Sequence, residues 1–242
     1  MKLEGRVALV TGAGVRVGRA LAVALGREKM RVGVHYNSSR DEADETVRII
    51  EQSGGDAKTF QSDLTQPDAP QKLIDAVVRA FGTIHVLVNS AAVMLRQPFG
   101  SVSPNDWEVT MSLNLRAPFF LAQAAAAAMT EGGAIVNISD LAAVETWPSY
   151  IPHSISKSGV IKMTEGLARV VAPSIRVNAI APGAVLLPDD WGEQTGERLS
   201  DTTPLRRLGD PNDVVDAMLY LLHADYVTGE TIVVDGGRRI RK

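Results

Sequence analysis

The sequence of 242 residues contains 25 lysines and arginines, 28 aspartates and glutamates, and no cysteine. The lack of thiols excludes disulfides, thiolate zinc sites and a cysteine nucleophile. A net charge of −3 argues against nucleic-acid binding, which normally needs a basic face, and no apolar run approaches the ~18 residues of a membrane span. The N-terminal segment lacks a signal-peptide pattern. We therefore expect a cytoplasmic α/β protein with no metal site and with neither nucleic acid nor membrane as partner.

Short apolar segments alternate with helical patterns along the whole chain. Strands are predicted at Arg6–Thr11, Val32–His35, Ala57–Gln61, Val86–Asn89, Ala134–Ile138, Ile175–Ile180 and Thr231–Val234, each expected to be buried on both faces. Apolar residues with helical spacing predict helices over 16–29, 40–53, 68–81, 106–129, 154–171 and 211–223. This alternation is typical of right-handed βαβ units. The sequence therefore predicts a single α/β domain over residues 1–242, with a doubly wound sheet and helices on both faces.

The predicted helix Leu121–Met129 contains five consecutive alanines after Gln123. Alanine favours helix and lets another backbone approach closely. The helix therefore packs either on its own sheet alone or also against a second subunit, and the sequence leaves both open.

A glycine-rich turn follows the first predicted strand and leads directly into a helix. It reads Thr-Gly-Ala-Gly-Val-Arg-Val-Gly over Thr11–Gly18. Glycines let the backbone turn sharply and approach a pyrophosphate at the positive end of the helix. Any tight strand-to-helix turn also favours glycine, but the place after the first strand indicates a nucleotide site.

The end of the second strand predicts which dinucleotide binds. NAD sites usually place an acid there to accept from the ribose hydroxyls, and here no acid occurs before Asp41. Arg16, Ser38, Ser39 and Arg40 instead offer cations and donors that suit a 2′-phosphate. The alternative is a solvated turn with a helix cap. We expect NADP(H) as the cofactor.

With these residues the sequence resembles the short-chain dehydrogenase/reductase family over essentially its whole length. The ordered motifs are Thr11-Gly12 to Gly18, Asp63-Leu64, Asn89 to Ala92, Asn114, Asn137 to Asp140, Ser156-Lys157, Pro182-Gly183 and Val227 to Gly237. The resemblance implies a seven-stranded parallel Rossmann sheet with hydride transfer at the carboxyl ends of the strands. Together with the alanine-rich helix, it also leads us to expect a homotetramer.

The resemblance also implies which residues bind the cofactor. Asp63 would meet the adenine, Lys157 the nicotinamide ribose, and Pro182 and Gly183 the nicotinamide. The full predicted set is Gly12, Arg16, Val17, Tyr36, Asn37, Ser38, Ser39, Asp63, Leu64, Asn89, Ala91, Ile138, Lys157, Pro182 and Gly183.

Two departures from the usual family pattern resemble pteridine and dihydromonapterin reductases. Arg16 stands at a position usually held by glycine, and Asp140 stands where the family has its catalytic serine, seventeen residues before Lys157. The segment Pro188–Trp191 also looks like that branch. The implied catalytic set is Asp140, His153, Lys157 and Asn114.

A third departure concerns the general acid, a tyrosine four residues before the lysine in the family. Here that residue is His153. In one hypothesis Asp140 and His153 act as a coupled proton relay. In another, Tyr150 takes over the acid role. In the last, His153 is a packing residue and the protein binds NADPH without the family's reaction.

The substrate is predicted from the residues around this group. Met94, Trp147 and Trp191 are candidate walls beside Asp140 and His153, and residues at about 186–200 are expected to form a substrate lid. The branch resemblance implies reduction of C=N in a dihydropterin. The alternatives are a carbonyl or 3-oxoacyl reductase and a non-catalytic NADP(H)-binding protein. In each enzymatic case the partner is a small molecule.

Overall fold

The computed structural model describes residues 1–186 and 193–240. In these ranges seven strands form one parallel sheet in the order β3-β2-β1-β4-β5-β6-β7. The strands are β1 Val7–Val10, β2 Arg31–Tyr36, β3 Asp56–Gln61, β4 Val86–Asn89, β5 Gly133–Ile138, β6 Ile175–Pro182 and β7 Thr231–Val234. The order reverses between β1 and β4, where ligands of doubly wound sheets bind beyond the carboxyl ends of the strands. The predicted fold class is confirmed.

Helices cover both faces of this sheet. They are α1 Arg16–Arg27, α2 Arg40–Gln52, α3 Ala69–Phe81, α4 Pro104–Met111, α5 Ala117–Ala128, α6 Ile151–Val171, α7 Glu193–Thr202 and α8 Pro211–His223. One core lies between the sheet and α1, α2 and α8, and the other lies between the sheet and α3, α5 and α6. Alternation along β1 supplies both cores, because Ala8 and Val10 face the first while Val7 and Leu9 face the second.

The expectation that every strand is buried on both faces is wrong for β3 and β7. Only Ala57 of β3 is buried, while its other residues are half-buried or exposed, and all of β7 is half-buried. These two strands lie at the edges of the sheet, so each lacks a neighbour on one side. The inner strands β1 and β4 are fully buried, as predicted.

The single helix predicted over 106–129 is two α-helices joined by a π-helical turn, Ser112–Arg116. Pro118 has no amide N–H, so it cannot donate to the carbonyl of Asn114 as an α-helix requires. A π-turn of this kind often marks a functional position, and Asn114 lies within it. The alanine-rich part of α5 packs on its own sheet through Ala124 and Ala125.

Two further boundaries differ from the prediction. Helix α6 begins at Ile151 rather than 154, so His153 lies in its first turn. Helix α7 was not predicted because Leu199 is its single large apolar residue, yet it occupies the second half of the expected lid at 186–200. The first half lies largely outside the described residues.

Candidate active site

A cleft of about 430 Å³ opens above the carboxyl ends of the central strands. It runs from the glycine turn after β1 past the ends of β4 and β5 to Pro182 and Gly183 at the end of β6. Of the predicted cofactor residues, those that line it are Gly12, Arg16, Val17, Asn37, Asp63, Leu64, Ala91, Ile138, Lys157, Pro182 and Gly183. The sequence therefore predicts most of the walls of this cleft.

The glycine turn leaves no room for side chains at its two ends. Gly12 has a φ of +64°, and a Cβ there would lie 3.0 Å from the Cα of Ala91. A Cβ on Gly18 would lie 2.1 Å from the carbonyl oxygen of Gly12. Thr11 joins this turn to the next one, since its Oγ1 accepts from the amides of Ser90 and Ala91 at 3.0 and 3.1 Å. The result is a smooth backbone cradle of the shape that a dinucleotide pyrophosphate needs.

The start of α1 also suits an anion. Its first turn contains no acidic residue, and its N-cap residue, Val15, makes no side-chain cap. Arg16 follows with a φ of +54°, and its Nη2 donates to the carbonyl oxygen of Leu186 at 2.8 Å. A helix N-terminus beside an arginine is a favourable place for phosphate. The residues present therefore fit a phosphorylated dinucleotide.

The far end of the cleft is built around Asp63. Its carboxylate accepts from the amide and the hydroxyl of Thr65, at 3.0 and 2.7 Å, and from Gln66. These hydrogen bonds, with the Thr65 hydroxyl first, lower the pKa of Asp63 below its ordinary value. The ionised carboxylate thus holds the loop after β3 in place.

Four predicted cofactor residues do not line the cleft in the structure. Tyr36 is buried in the core. Ser38 and Ser39 lie in the turn before α2, and Ser39 is its N-cap residue without a side-chain cap bond. Asn89 is buried below the cleft, where its Nδ2 donates to Oδ1 of Asn137 at 2.9 Å. The Nδ2 of Asn89 thus joins two adjacent strands, while its buried Oδ1 has no hydrogen-bond partner among the described residues.

His35 is a cleft residue that sequence analysis missed. It lies on β2, buried, and its Nδ1 accepts from the amide of Gly12 at 3.1 Å while its Nε2 lies 3.0 Å from the carbonyl oxygen of Ser62. The ring therefore joins the glycine turn to the loop that carries Asp63. Burial lowers the pKa of His35 to about 4, against the raising effect of the Ser62 carbonyl. The sequence signal that could have identified His35 is a polar residue within the apolar strand β2.

The predicted catalytic residues meet at the other end of the cleft. Asp140 lies in the loop after β5, two residues beyond Ile138, and His153 reaches it from the first turn of α6. The Nε2 of His153 lies 2.5 Å from Oδ2 of Asp140. The second carboxylate oxygen, Oδ1, accepts from the amide of Ala142 at 2.8 Å. The carboxylate is thereby fixed with one oxygen facing the imidazole.

The opposite nitrogen of the imidazole is held by the backbone. The Nδ1 of His153 lies 3.1 Å from the carbonyl oxygen of Val93 and 3.3 Å from Nδ2 of Asn114. Asn114 itself accepts from the Val93 amide and donates to the Val93 carbonyl, both at 2.8 Å. Because that carbonyl can only accept, it favours a proton on Nδ1. Asn114 contacts the ring but does not line the cleft.

Burial and neighbouring charges act in opposite directions on the pKa values of Asp140 and of Lys157. Burial acts to raise the pKa of Asp140, but the hydrogen bond from His153, the charge of Lys157 and the Ala142 amide together lower it below its ordinary value. Lys157 is buried, and this desolvation lowers its pKa despite the attraction of Asp140. Its Nζ donates to the carbonyl oxygen of Ile138 at 2.9 Å. The site therefore contains an ionised carboxylate, an imidazole in contact with it, and a buried lysine whose pKa is lowered by desolvation.

A second cavity, also of about 430 Å³, adjoins the cleft. The two share Met94, Asp140, Pro182, Gly183 and Leu186. The predicted substrate residue Trp147 lines this second cavity, with Tyr150 at a ring-centroid distance of 6.1 Å. Tyr150 lines it too, but it does not line the cleft that contains Lys157 and His153.

Trp191, the other predicted substrate residue, lies outside the described residues. In the ranges that are described, no group of three or more His, Asp or Glu side chains could hold a metal ion. No helix in the same ranges is both long and apolar enough to cross a membrane.

Comparisons with known proteins agree with this geometry. The sequence model of the family described as enoyl-(acyl carrier protein) reductase matches residues 12–239. Glucose 1-dehydrogenase 2 from Bacillus subtilis is 36% identical, covering 97% of this chain and 95% of that protein. An angucycline C-6 ketoreductase with bound NADP has a TM-score of 0.93 at 30% identity, covering 99% of this chain and 97% of that one.

A further solved structure is a blue fluorescent protein from a metagenomic library in complex with NADPH. Its TM-score is 0.91 at 34% identity, covering 98% of this chain and 99% of that one. The fold, the cleft and these relatives define an oxidoreductase that uses a nicotinamide dinucleotide, NAD(P). The chain belongs to the short-chain dehydrogenase/reductase family.

Proposed function

We propose that the protein is an NADPH-dependent carbonyl reductase in which Asp140 and His153 exchange the proton. The observation that carries this proposal is the position of Asp140, which lines both the dinucleotide cleft and the adjoining cavity. A carbonyl group in that cavity, beside Asp140, can therefore face both the cofactor and the Asp140–His153 pair. This is the arrangement that hydride transfer coupled to protonation requires.

The names of the relatives favour a carbonyl substrate over a pterin. The relatives described above are named for a sugar and for an angucycline ketone, and they do not support the expected pteridine reductase specificity. We therefore retain the carbonyl alternative as the proposed activity.

NADPH rather than NADH is proposed on the residues at the phosphate end of the cleft. Arg16 and Asn37 line it, and no acidic residue stands at the end of β2 to accept from a ribose 2′-hydroxyl. Ser38 and Ser39 lie in the turn immediately beyond. Two structural neighbours contain NADPH or NADP. When bound, this cofactor supplies the hydride that reduces the carbonyl carbon.

We assign the proton that reaches the carbonyl oxygen to the Asp140–His153 pair. With Nδ1–H donated to the Val93 carbonyl, one further proton is shared between Nε2 of His153 and Oδ2 of Asp140 at 2.5 Å. As negative charge develops on the carbonyl oxygen, the pair releases this proton to it and is left with one negative charge. The ammonium group of Lys157 stabilises that charge. In this proposal His153 takes the place that the family resemblance gives to a tyrosine.

Other features remain predictions. The homotetramer, the cytoplasmic location and the closing of residues 186–200 over the substrate are each expected on the grounds given above. Tyr150 as the acid is less favoured, because its ring faces Trp147 in the outer cavity and does not line the cleft with Lys157.

Turnover assays with both cofactors test the proposal. Purified protein is given NADPH or NADH with an aryl ketone, a 3-oxoacyl thioester or a dihydropterin, and loss of reduced cofactor is followed by absorbance. We expect the aryl ketone or the 3-oxoacyl thioester to be reduced, and we expect the loss of NADPH in that reaction to be faster than the loss of NADH. If NADPH were oxidised with the dihydropterin and with neither carbonyl compound, the result would support pterin reduction instead. No oxidation with any compound, together with tight NADPH binding, would identify a non-catalytic NADP(H)-binding protein.

A further inference from the structure

Two arginines line the second cavity but not the dinucleotide cleft, and the hydride and proton steps do not use them. Arg96 lies in the loop after β4, and Arg238 lies in the short 3₁₀ turn after β7. We propose that these side chains bind a carboxylate on the carbonyl substrate, remote from the reacting carbon. This inference rests on the proposed function, because it specifies the substrate class of the same site.

The loop that carries Arg96 is fixed to the loop on the opposite side of the cavity. The buried residue Gln97 donates its backbone N–H to the carbonyl oxygen of Ser149 at 2.6 Å and forms a β-bridge with Tyr150. Arg96 is therefore held next to a backbone link to the Trp147–Tyr150 loop. A charged group on a fixed rim loses less conformational freedom when it binds a ligand.

Arg238 is also held in place. The carboxylate of Asp235 accepts from the amides of Gly237 and Arg239, at 2.8 and 2.7 Å, and so fixes the turn around Arg238. The Nε of Arg238 lies 3.9 Å from Oε2 of Glu145, and the same Glu145 oxygen accepts from the Trp147 indole at 2.9 Å. Glu145 thus positions a cation and an aromatic ring on one wall of the cavity.

The distribution of charge indicates an anionic ligand. The carboxylate of Asp140 contacts His153, and that of Glu145 lies beside Arg238. Within residues 1–186 and 193–240, no carboxylate lies within 4.0 Å of Arg96. Arg96 therefore adds a positive charge to this cavity that no carboxylate of the described residues contacts. A substrate carboxylate is attracted to the arginines, and the neutral carbonyl is then left for the part of the cavity that Asp140 shares with the cleft.

The middle of the cavity suits a planar apolar group. Trp147 and Tyr150 pack edge to face, with an interplanar angle of 75°, and Leu141, Met94 and Pro148 add apolar surface. The volume of about 430 Å³ lies in the range of small-molecule sites. These features specify a keto acid with an aromatic or similarly flat body between its carbonyl and its carboxylate.

A matched pair of ketones tests this inference. Binding of 4-acetylbenzoate and of its neutral methyl ester to the protein loaded with NADP is measured by calorimetry. We expect the acid to bind about tenfold more tightly or better, as one hydrogen bond to a charged group provides. Arg96→Gln should bring the two affinities to within about threefold of each other. Arg238→Gln should reduce the preference in the same direction.

Arg79→Gln is the matched control, because Arg79 is an exposed arginine in the last turn of α3 that lines neither cavity. It should keep the preference of the unmodified protein for the acid. Equal binding of acid and ester, or a preference that survives Arg96→Gln, would overturn the inference. NADPH oxidation by the two ketones is measured separately. Selective binding without any oxidation would support the anion site and refute the proposed carbonyl reduction, so the two failures are distinguishable.

Discussion

The Nε2 atom of His153 and the Oδ2 atom of Asp140 lie 2.5 Å apart at the point where the dinucleotide cleft meets the second cavity. The two residues come from different elements, the loop after β5 and the first turn of α6. Each has a second fixed contact, Asp140 with the Ala142 amide and His153 with the Val93 carbonyl. The pair is therefore oriented before any ligand binds, as proton transfer at a defined atom requires.

The first prediction concerns Asn114, which orients His153 through the Val93 backbone. Asn114→Leu should lower kcat about tenfold or more, because a misplaced acid loses much of its effect. The affinity for NADPH should stay within about threefold, since Asn114 does not line the cleft. Steady-state kinetics and cofactor titration measure the two effects. An unchanged kcat in a variant with normal cofactor affinity would show that Asn114 does not position the acid.

Arg16 provides a test of cofactor selectivity that does not depend on stability. Its φ of +54° is in the left-handed region, which glycine adopts without steric strain. Arg16→Gly should therefore leave the free energy of unfolding within about 1 kcal/mol of its original value. The affinity for NADPH should fall about tenfold, and that for NADH should change less than about threefold, as fluorescence titration measures.

Arg206→Gly is the matched control for that experiment. Arg206 is exposed, has a φ of +55° and lines neither the cleft nor the adjoining cavity. Its replacement should leave both cofactor affinities as they are. Equal losses for NADPH and NADH in Arg16→Gly would contradict a contact between Arg16 and the 2′-phosphate.

His35 makes the free energy of unfolding depend on pH. Its pKa is about 4 in the folded chain against 6.5 for the ordinary group, so the unfolded chain binds the extra proton first as the pH falls. The contribution of neutral His35 is fully present above pH 6.5 and is lost as the pH falls towards 4. Between about pH 7.5 and about pH 5 this loss amounts to about 2 kcal/mol.

His35→Gln removes this titration. The difference in unfolding free energy between the unmodified protein and the variant should therefore shrink by about 2 kcal/mol between about pH 7.5 and about pH 5, as urea titration measures. His85, whose pKa burial also lowers, is present in both proteins and cancels. A difference that stays constant with pH would show that burial does not hold His35 neutral in the folded chain.

The sequence predicts the fold and most of the cleft because both depend on local patterns. Apolar strands, helical spacing and the glycine turn each have a strong local cause. The break at Ser112–Arg116 depends on Pro118 and on packing around Asn114. The apolar spacing continues through it, so the sequence predicts one helix over 106–129. Helix α7 has a single large apolar residue, Leu199, which is too few to predict a buried helix from the sequence.

The side-chain contacts of the site are less predictable. The resemblance pairs Asp140 with His153, but only the structure shows that Val93 and Asn114 hold the other side of the ring. His35 was missed because its partners, Gly12 and Ser62, lie on separate loops that meet only in the folded chain. Asn89 was expected to face the cofactor, yet its side chain joins β4 to β5 instead.

The rate of NADPH oxidation across a double-mutant cycle tests the shared role of Asp140 and His153 most directly. The cycle comprises the unmodified protein, Asp140→Asn, His153→Ala and the double variant, each with the ketone that the unmodified protein reduces fastest. Each single change should lower kcat at least about 100-fold. The double variant should be no slower than the slower single one, because the two side chains share one proton. Single variants that retain the original rate, or losses that multiply in the double variant, would contradict the shared proton.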